Sequence, residues 1–214
     1  MLHMRVSRVG RQLVVVAAVL AIASVAVSRA EGPRADRPLA ESTRARQLIR
    51  QLQLHVLPRE SGYLGIVGIS AQQAQVHGRS LAVQSQNYYM LTRELPINYL
   101  HWLEPDDTHI LVEGGPVDYF IFCPGQPARK QTLGMDLAHG ERPIVAVPGG
   151  CWKALQLRPG AAYALTVNTL SPEFTPDRVR IGEGAAWVQQ WAGSAPWATP
   201  EFLRTLIGPN WKQP

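Results

Sequence analysis

A series of short apolar or alternating segments between residues 62 and 170 constrains the fold of this chain more than any other feature of its sequence. The segments are rich in Val, Ile, Tyr and Leu and are separated by turn residues such as Gly and Pro. They include residues 87–91, 98–103, 108–112, 117–123, 144–147, 152–157 and 163–170. Many short strands with this punctuation favour a β-sandwich or barrel. No segment between them is long and periodic enough for a crossover helix, so a parallel doubly wound sheet is disfavoured.

A short helix is expected before these strands. Ser42 can cap it, Leu48 and Leu52 lie one helical step apart, and Pro58 marks its approximate end. The preceding residues 31–42 are polar and contain two prolines without a periodic apolar pattern, which predicts a linker. The strand-rich domain is therefore expected to begin at residue 43 and to extend to about residue 182.

Residues 183–214 are predicted to form a Trp-rich helical tail. Trp187 and Trp191 lie one helical turn apart, and Thr199-Pro200-Glu201 and Gly208-Pro209 supply the start and stop signals of a second helix. Four of the six tryptophans lie in this tail. Their aromatic faces can pack the tail onto the barrel, or can form a stacking surface for a sugar or a protein partner.

The first thirty residues have the pattern of a secretory signal peptide. Basic residues Arg5, Arg8 and Arg11 precede an apolar run at residues 13–27, and Ser28-Arg29-Ala30 offers small residues at the positions that signal peptidase recognises. The run has 15 residues, whereas a helix that crosses a bilayer needs ~20. We therefore expect cleavage after Ala30, no stable membrane span afterwards, and an exported protein, either periplasmic or secreted. The alternative is a retained membrane anchor.

The charge distribution argues against nucleic acid as a partner. The chain has 21 basic and 16 acidic residues, but four of the arginines lie in the first thirty residues, which contain no acidic residue. The other 17 basic residues nearly balance the 16 acidic ones, whereas a nucleic-acid-binding surface needs a clustered basic face. Apolar residues make up 46% of the chain and charged residues 17%, which is typical of a globular domain with a real core.

Two motifs in the strand-rich region have a characteristic spacing. The stretch His101-Trp102-Leu103-Glu104-Pro105-Asp106-Asp107 is followed by six residues and Gly114, and Val147-Pro148-Gly149-Gly150-Cys151-Trp152 comes later. This spacing resembles the two motifs of the cupin superfamily. More narrowly, the chain is similar to the cupin subfamily DUF985, also called cupin_5, through Glu60-Ser61-Gly62-Tyr63, Tyr88-Tyr89-Met90-Leu91 and Ser171-Pro172-Glu173-Phe174. The resemblance covers about residues 45–182. It implies an all-β double-stranded β-helix, or jelly-roll barrel, with an N-terminal helix and a short helical C-terminal tail.

Asp107 and His109 lie two residues apart on a predicted strand, so their side chains point to the same face. The resemblance implies that this face lines the interior of the barrel, where His101 would join them. The main hypothesis is a cavity for a polar, sugar-like small molecule, consistent with a mixture of apolar walls and a few polar groups. The expected walls are Tyr89, His101, Asp107, His109, Trp152 and Lys153.

The positions that bind metal in other cupins depart from that pattern. Tyr99 lies two residues before His101, the carboxylate belongs to the shorter Asp107, and Lys153 occupies the slot of the last histidine. An ammonium repels a divalent cation, so we expect folding without metal, weak divalent binding, and an ion pair between Lys153 and Asp107. His109 is either a replacement ligand beside His101 and Asp107 or a polar wall residue bonded to Asp107.

Two other functions remain open. One is an isomerase or epimerase for a sugar derivative, with or without a bound metal, in which His101 or Asp107 is the general base and Lys153 stabilises negative charge. The other is partner binding through the Trp-rich tail. Cupins are commonly dimers, so the resemblance also implies a homodimer.

Cys123 and Cys151 are the only cysteines. By themselves they can be two buried apolar residues or, in an oxidising compartment, a disulfide. The cupin resemblance places strand 117–123 beside strand 152–157 in antiparallel orientation, which brings the two cysteines together. It therefore implies a Cys123–Cys151 disulfide.

Overall fold

The computed structural model describes residues 42–213, which fold into an antiparallel β-barrel with short helices at both ends. The strands are β1 (His55–Val56), β2 (Tyr63–Ile69), β3 (Gln73–Val76), β4 (Arg79–Ala82), β5 (Ser85–Thr92), β6 (Ile97–Leu103), β7 (Asp106–Gly114), β8 (Val117–Phe122), β9 (Arg129–Leu133), β10 (Ile144–Val147), β11 (Trp152–Leu157), β12 (Tyr163–Ser171) and β13 (Val179–Ile181). The α-helices are α1 (Thr43–Gln51), α2 (Ala185–Trp191) and α3 (Pro200–Ile207), and short 3₁₀ helices cover Leu137–His139, Pro176–Arg178 and Gly208–Asn210. The predicted signal peptide (residues 1–30) and nearly all of the predicted linker lie outside the described residues.

Two sheets form the barrel, and their strands pair in antiparallel orientation. The six-stranded sheet has the order β1-β2-β5-β12-β7-β10, and the five-stranded sheet has the order β13-β6-β11-β8-β9. Strands β3 and β4 form a separate hairpin. The inner faces of the two sheets meet in an apolar core that includes Tyr119, Ile121, Leu133 and Leu155. The predicted all-β jelly-roll fold is confirmed.

The N-terminal helix begins as expected but ends early. The side chain of Ser42 accepts a hydrogen bond from the backbone N–H of Ala45 at 3.0 Å, which satisfies a donor of the first helical turn. The expected end near Pro58 is wrong, because the helix ends at Gln51. The chain reverses at Gln53, which has a φ of 53°, and Leu54 is then buried against the barrel.

The C-terminal tail packs on the outer face of the five-stranded sheet. Phe122 of β8 contacts Trp187 and Trp191 of α2 edge to face, with ring centroids 4.8 and 5.3 Å apart. Both tryptophans are buried, and Thr199 caps α3 through the N–H of Phe202. The structure therefore matches the interpretation that the tryptophans fix the tail to the barrel. Within residues 42–213, no helix is long and apolar enough to cross a membrane.

A disulfide joins the end of β8 to the start of β11. Cys123 and Cys151 are bonded, with their Cα atoms 4.4 Å apart, within the range that the bond requires. Strands β8 and β11 pair from Phe122↔Trp152 onward, so the bond closes the end of this antiparallel ladder. It holds the first residues of β11 next to β8.

Candidate functional site

A cavity of about 200 Å³ lies between the two sheets. Leucines from both sheets, together with Tyr89 and Phe174, form its apolar lining. The polar lining consists of two carboxylates, two imidazoles and three amides, from Glu60, Asp107, His101, His109, Asn87, Asn98 and Asn168. A mostly apolar wall with a few converging polar groups is typical of a small-molecule site.

Inward-facing positions on neighbouring strands bring the imidazoles and Asp107 together. Asp107 and His109 share the inner face of β7 and are 2% and 1% exposed, because alternate side chains of a strand point to the same side. Strand β12 places Asn168 directly opposite His109. His101 reaches the cavity from β6 in the other sheet and is 3% exposed. Tyr89, His101, Asp107 and His109, all expected in the cavity wall, do line the cavity.

Asp107 is the centre of a buried hydrogen-bonded cluster. Its Oδ2 lies 2.7 Å from Nζ of Lys153 and 2.8 Å from Nε2 of His109. Nδ2 of Asn168 lies 3.3 Å from the same histidine nitrogen. Burial by itself raises the pKa of Asp107, but the charges and hydrogen bonds of His109 and Lys153 hold it well below its usual value. Asp107 is therefore a fixed negative charge at neutral pH and a weak proton acceptor.

His101 has a different environment from His109. Its Nδ1 lies 2.9 Å from the backbone carbonyl of Tyr99, which can only accept, so Nδ1 carries the hydrogen. Burial lowers the pKa of His101 and outweighs the carboxylate of Glu60, which acts in the opposite direction. The neutral ring then has a lone pair on Nε2, which lies 3.8 Å from Oε2 of Glu60. A neutral buried imidazole with a free lone pair is suited to accept a proton or a hydrogen bond.

Glu60 is a site residue that sequence reasoning missed. It was recognised as part of a family-like segment but not as part of the cavity. Its backbone carbonyl accepts hydrogen bonds from the N–H of Tyr99 at 2.7 Å and from Nδ2 of Asn98 at 3.1 Å, which fix the loop to β6. The tail holds the same loop, because Nδ2 of Asn210 donates to the carbonyl of Arg59 at 2.7 Å. The loop thus fixes the position of the Glu60 carboxylate beside His101.

The three asparagines of the cavity were also missed. Asn87, Asn98 and Asn168 each lie on a strand that the sequence predicted, at positions that face the interior. The available signal was a polar amide at the first position of segments 87–91 and 98–103 and inside segment 163–170, since buried polar groups are retained where they have partners.

Lys153 and Trp152 lie on opposite faces of β11. Lys153 is 2% exposed, and its ammonium forms the expected pair with Asp107 behind the cavity surface. Trp152, which was expected in the wall, instead points outward and packs against Trp187 of the tail, with ring centroids 6.4 Å apart. The reason is the alternation of the strand, which prevents two successive side chains from facing the same cavity.

The donor set of the cavity does not fit a metal ion. Oδ2 of Asp107 is shared between Lys153 and His109, so the carboxylate and the His109 nitrogen are already bonded to each other. The Lys153 ammonium lies where it repels a cation bound to Asp107. In the part of the chain that the structure describes, no three His, Cys, Asp or Glu side chains form a group able to hold a metal.

Two antiparallel sheets closed around a cavity with inward-facing histidine and carboxylate groups define a cupin-type barrel. A family model described as "Cupin superfamily (DUF985)" matches residues 46–181, and the chain belongs to this family. A comparison with curated proteins found no match.

Two solved structures have the same fold. A hypothetical protein from Leishmania major is 24% identical, with a TM-score of 0.65 over 76% of this chain and 96% of that one. A protein from Shewanella oneidensis is 21% identical, with a TM-score of 0.62 over 79% of this chain and 98% of that one. At these identities the likeness establishes the fold alone.

Proposed function

We propose that this chain is an exported cupin-fold protein that binds a small polar molecule, such as a sugar-like compound, in the cavity between its sheets. The observation that carries the proposal is the cavity itself, which combines leucine walls with carboxylate, imidazole and amide groups. Its volume of about 200 Å³ is below the ~300–1,000 Å³ of sites for drug-sized ligands. The expected ligand is therefore no larger than a single sugar ring.

The proposal does not include a metal cofactor. The Lys153 ammonium and Asp107 neutralise each other, so the barrel interior is stable without a divalent ion, and any such ion binds weakly. Export is supported by the signal-like pattern of residues 1–30 and by the disulfide between Cys123 and Cys151, which suits an oxidising compartment.

A thermal-shift screen tests the binding function. Ligands that bind the native state raise its melting temperature by mass action, so the oxidised protein is screened against monosaccharides, polyols and divalent metals. Ile66 lines the cavity and is 77% exposed, so Ile66→Trp is expected to obstruct it and to remove the ligand-induced shift. Val67→Trp is the matched control, because Val67 is also exposed on β2 but is not part of the lining. Equal shifts in both variants would contradict binding in this cavity.

An isomerase or epimerase is the second candidate function. It is favoured by the neutral His101, whose Nε2 lone pair can remove a proton from a bound substrate. Asp107 is a poorer candidate base because its pKa is depressed. The test is exchange of carbon-bound hydrogen with deuterated water for each sugar found in the screen. His101→Gln is expected to stop the exchange while the sugar still binds, and exchange at an unchanged rate would exclude His101 as the base.

A further inference from the structure

The cavity contains a carboxylate without a hydrogen-bond donor. The side chain of Glu60 is 17% exposed, and its carboxylate forms no hydrogen bond within residues 42–213. Its ion-pair contact among these residues is with His101, whose Nε2 lies 3.8 Å away, beyond hydrogen-bond distance. Its oxygens are not among the fully buried unpaired atoms of the described residues, so they face the cavity and are accessible to a donor that enters it. The Glu60 carboxylate therefore favours a ligand that brings a donor.

The neighbouring histidine nitrogen is an acceptor as well. Nδ1 of His101 donates to the carbonyl of Tyr99, so Nε2 of the neutral ring offers a lone pair. These two acceptors lie 3.8 Å apart, and no donor of the described residues lies between them. They match a ligand group that carries at least two N–H hydrogens. A single hydroxyl has one hydrogen and can satisfy only one of the two acceptors.

The charge of the cavity favours the same kind of group. Glu60 and Asp107 are its two carboxylates, and Lys153 compensates Asp107 at 2.7 Å. Among the described residues that line the cavity, none is lysine or arginine. The Glu60 carboxylate thus has no lysine or arginine partner among these lining residues, and a cationic ligand gains a charge-assisted hydrogen bond there.

We propose that the cavity selects a ligand with a protonated primary amino group, which donates to the Glu60 carboxylate and to Nε2 of His101. This inference rests on the proposed binding function and adds the chemical class of the ligand. The apolar wall, which includes Leu57, Leu64 and Phe174, contacts the ligand body. The amide of Asn87 lies in the same lining and is available to hydroxyl groups on that body.

Sets of similar ligands that contain an amine, an alcohol or a carboxylate test the amine preference. The first set is glucosamine and glucose, which differ only at C2, together with glucuronate, which has a carboxylate at C6. The second set is cyclohexylamine, cyclohexanol and cyclohexanecarboxylate, which differ only in the ring substituent. Affinities are measured at pH 7 by chemical-shift titration of the folded, oxidised protein. The amine is expected to bind about tenfold or more tightly than the alcohol in at least one set, since a hydrogen bond to a charged group is stronger than one between neutral groups by about that factor. The carboxylate is expected to bind most weakly.

A charge-neutral variant of nearly the same shape tests the role of Glu60. Glu60→Gln is expected to reduce amine affinity about tenfold and to change alcohol affinity less than threefold. Glu94→Gln is the matched control, because Glu94 is exposed and lies outside the cavity lining. Circular dichroism and melting curves establish that both variants are folded.

The possible outcomes separate the inference from the binding function. If the alcohols bind as tightly as the amines, or if Glu60→Gln leaves amine affinity unchanged, the amine preference is wrong while binding stands. If none of the six compounds binds, the amine preference is wrong as well. If the broader sugar and polyol screen is also negative, the binding function fails with it.

Discussion

Replacing Asp107 by alanine probes the energetics of the buried cluster. Nζ of Lys153 lies 2.7 Å from Oδ2 of Asp107, and the two side chains are 2% and 3% exposed. Removing one partner of a buried ion pair costs about 3–5 kcal/mol, because the other charge remains buried without compensation. We expect Asp107→Ala to lower the free energy of unfolding by this amount, a large fraction of the ~5–15 kcal/mol typical of a native domain.

The cluster also predicts an asymmetry between the two partners. Lys153→Met leaves Asp107 its 2.8 Å contact with His109, whereas Asp107→Ala leaves Lys153 without its acidic partner. The lysine substitution is therefore expected to be the milder one. The double variant has no buried charge to compensate and is expected to lose about 1–3 kcal/mol less than the sum of the two single losses.

Urea unfolding followed by tryptophan fluorescence measures these differences. Asp177→Ala is the control, because it breaks the exposed ion pair of Asp177 with Arg79, and it is expected to leave stability nearly unchanged. Two results would refute the reasoning: a loss below about 1 kcal/mol for Asp107→Ala, or a double variant whose loss equals the sum of the single losses.

Three further predictions concern acid, the disulfide and metal. Because the fold depresses the pKa of Asp107, its ionisation stabilises the native state above the unfolded pKa of about 4, and this contribution is lost as the pH falls from there. The free energy of unfolding is therefore expected to fall less between pH 7 and pH 3 in Asp107→Asn than in the unsubstituted protein. Reducing the Cys123–Cys151 bond, which spans 28 residues, is expected to cost about 2–4 kcal/mol, and an unchanged urea midpoint after reduction would contradict this. Lys153→His is expected to raise the affinity for Zn²⁺, measured by calorimetry, because it removes the repelling ammonium. One tightly held metal ion per chain in the unsubstituted protein would overturn the metal-free interpretation.

Strands that are apolar on their inner face were predictable, and polar edge strands were not. Strands β10 and β11 have the predicted bounds, because their apolar residues bury between the sheets. Strand β9, with the sequence Arg-Lys-Gln-Thr-Leu, was missed because it lies at the edge of its sheet and only its last two residues are buried. The hairpin of β3 and β4 was missed for a similar reason, since few of its residues reach the core.

The candidate site was predictable where it lies on strands. Asp107 and His109 followed from the two-residue period, and the ion pair with Lys153 followed from the cost of a buried ammonium. The prediction that both Trp152 and Lys153 lie in the cavity wall overlooked this alternation, because successive side chains of a strand point to opposite faces. Glu60 could not be found in this way, because it lies in a loop whose position depends on hydrogen bonds to β6 and to Asn210, and these contacts join residues far apart in the chain.

The hydrogen bond from Asn210 to the carbonyl of Arg59 has a consequence for the order in which the cavity forms. The two residues are separated by 151 positions, so the bond forms only after a long loop has closed and the C-terminal tail has packed on the barrel. Until then the Glu60 loop lacks one of its anchors, even if the central strands have already paired. The cavity is therefore expected to be completed last. A substitution at Asn210, far from the cavity in sequence, is then expected to impair the proposed binding more than the folding of the barrel.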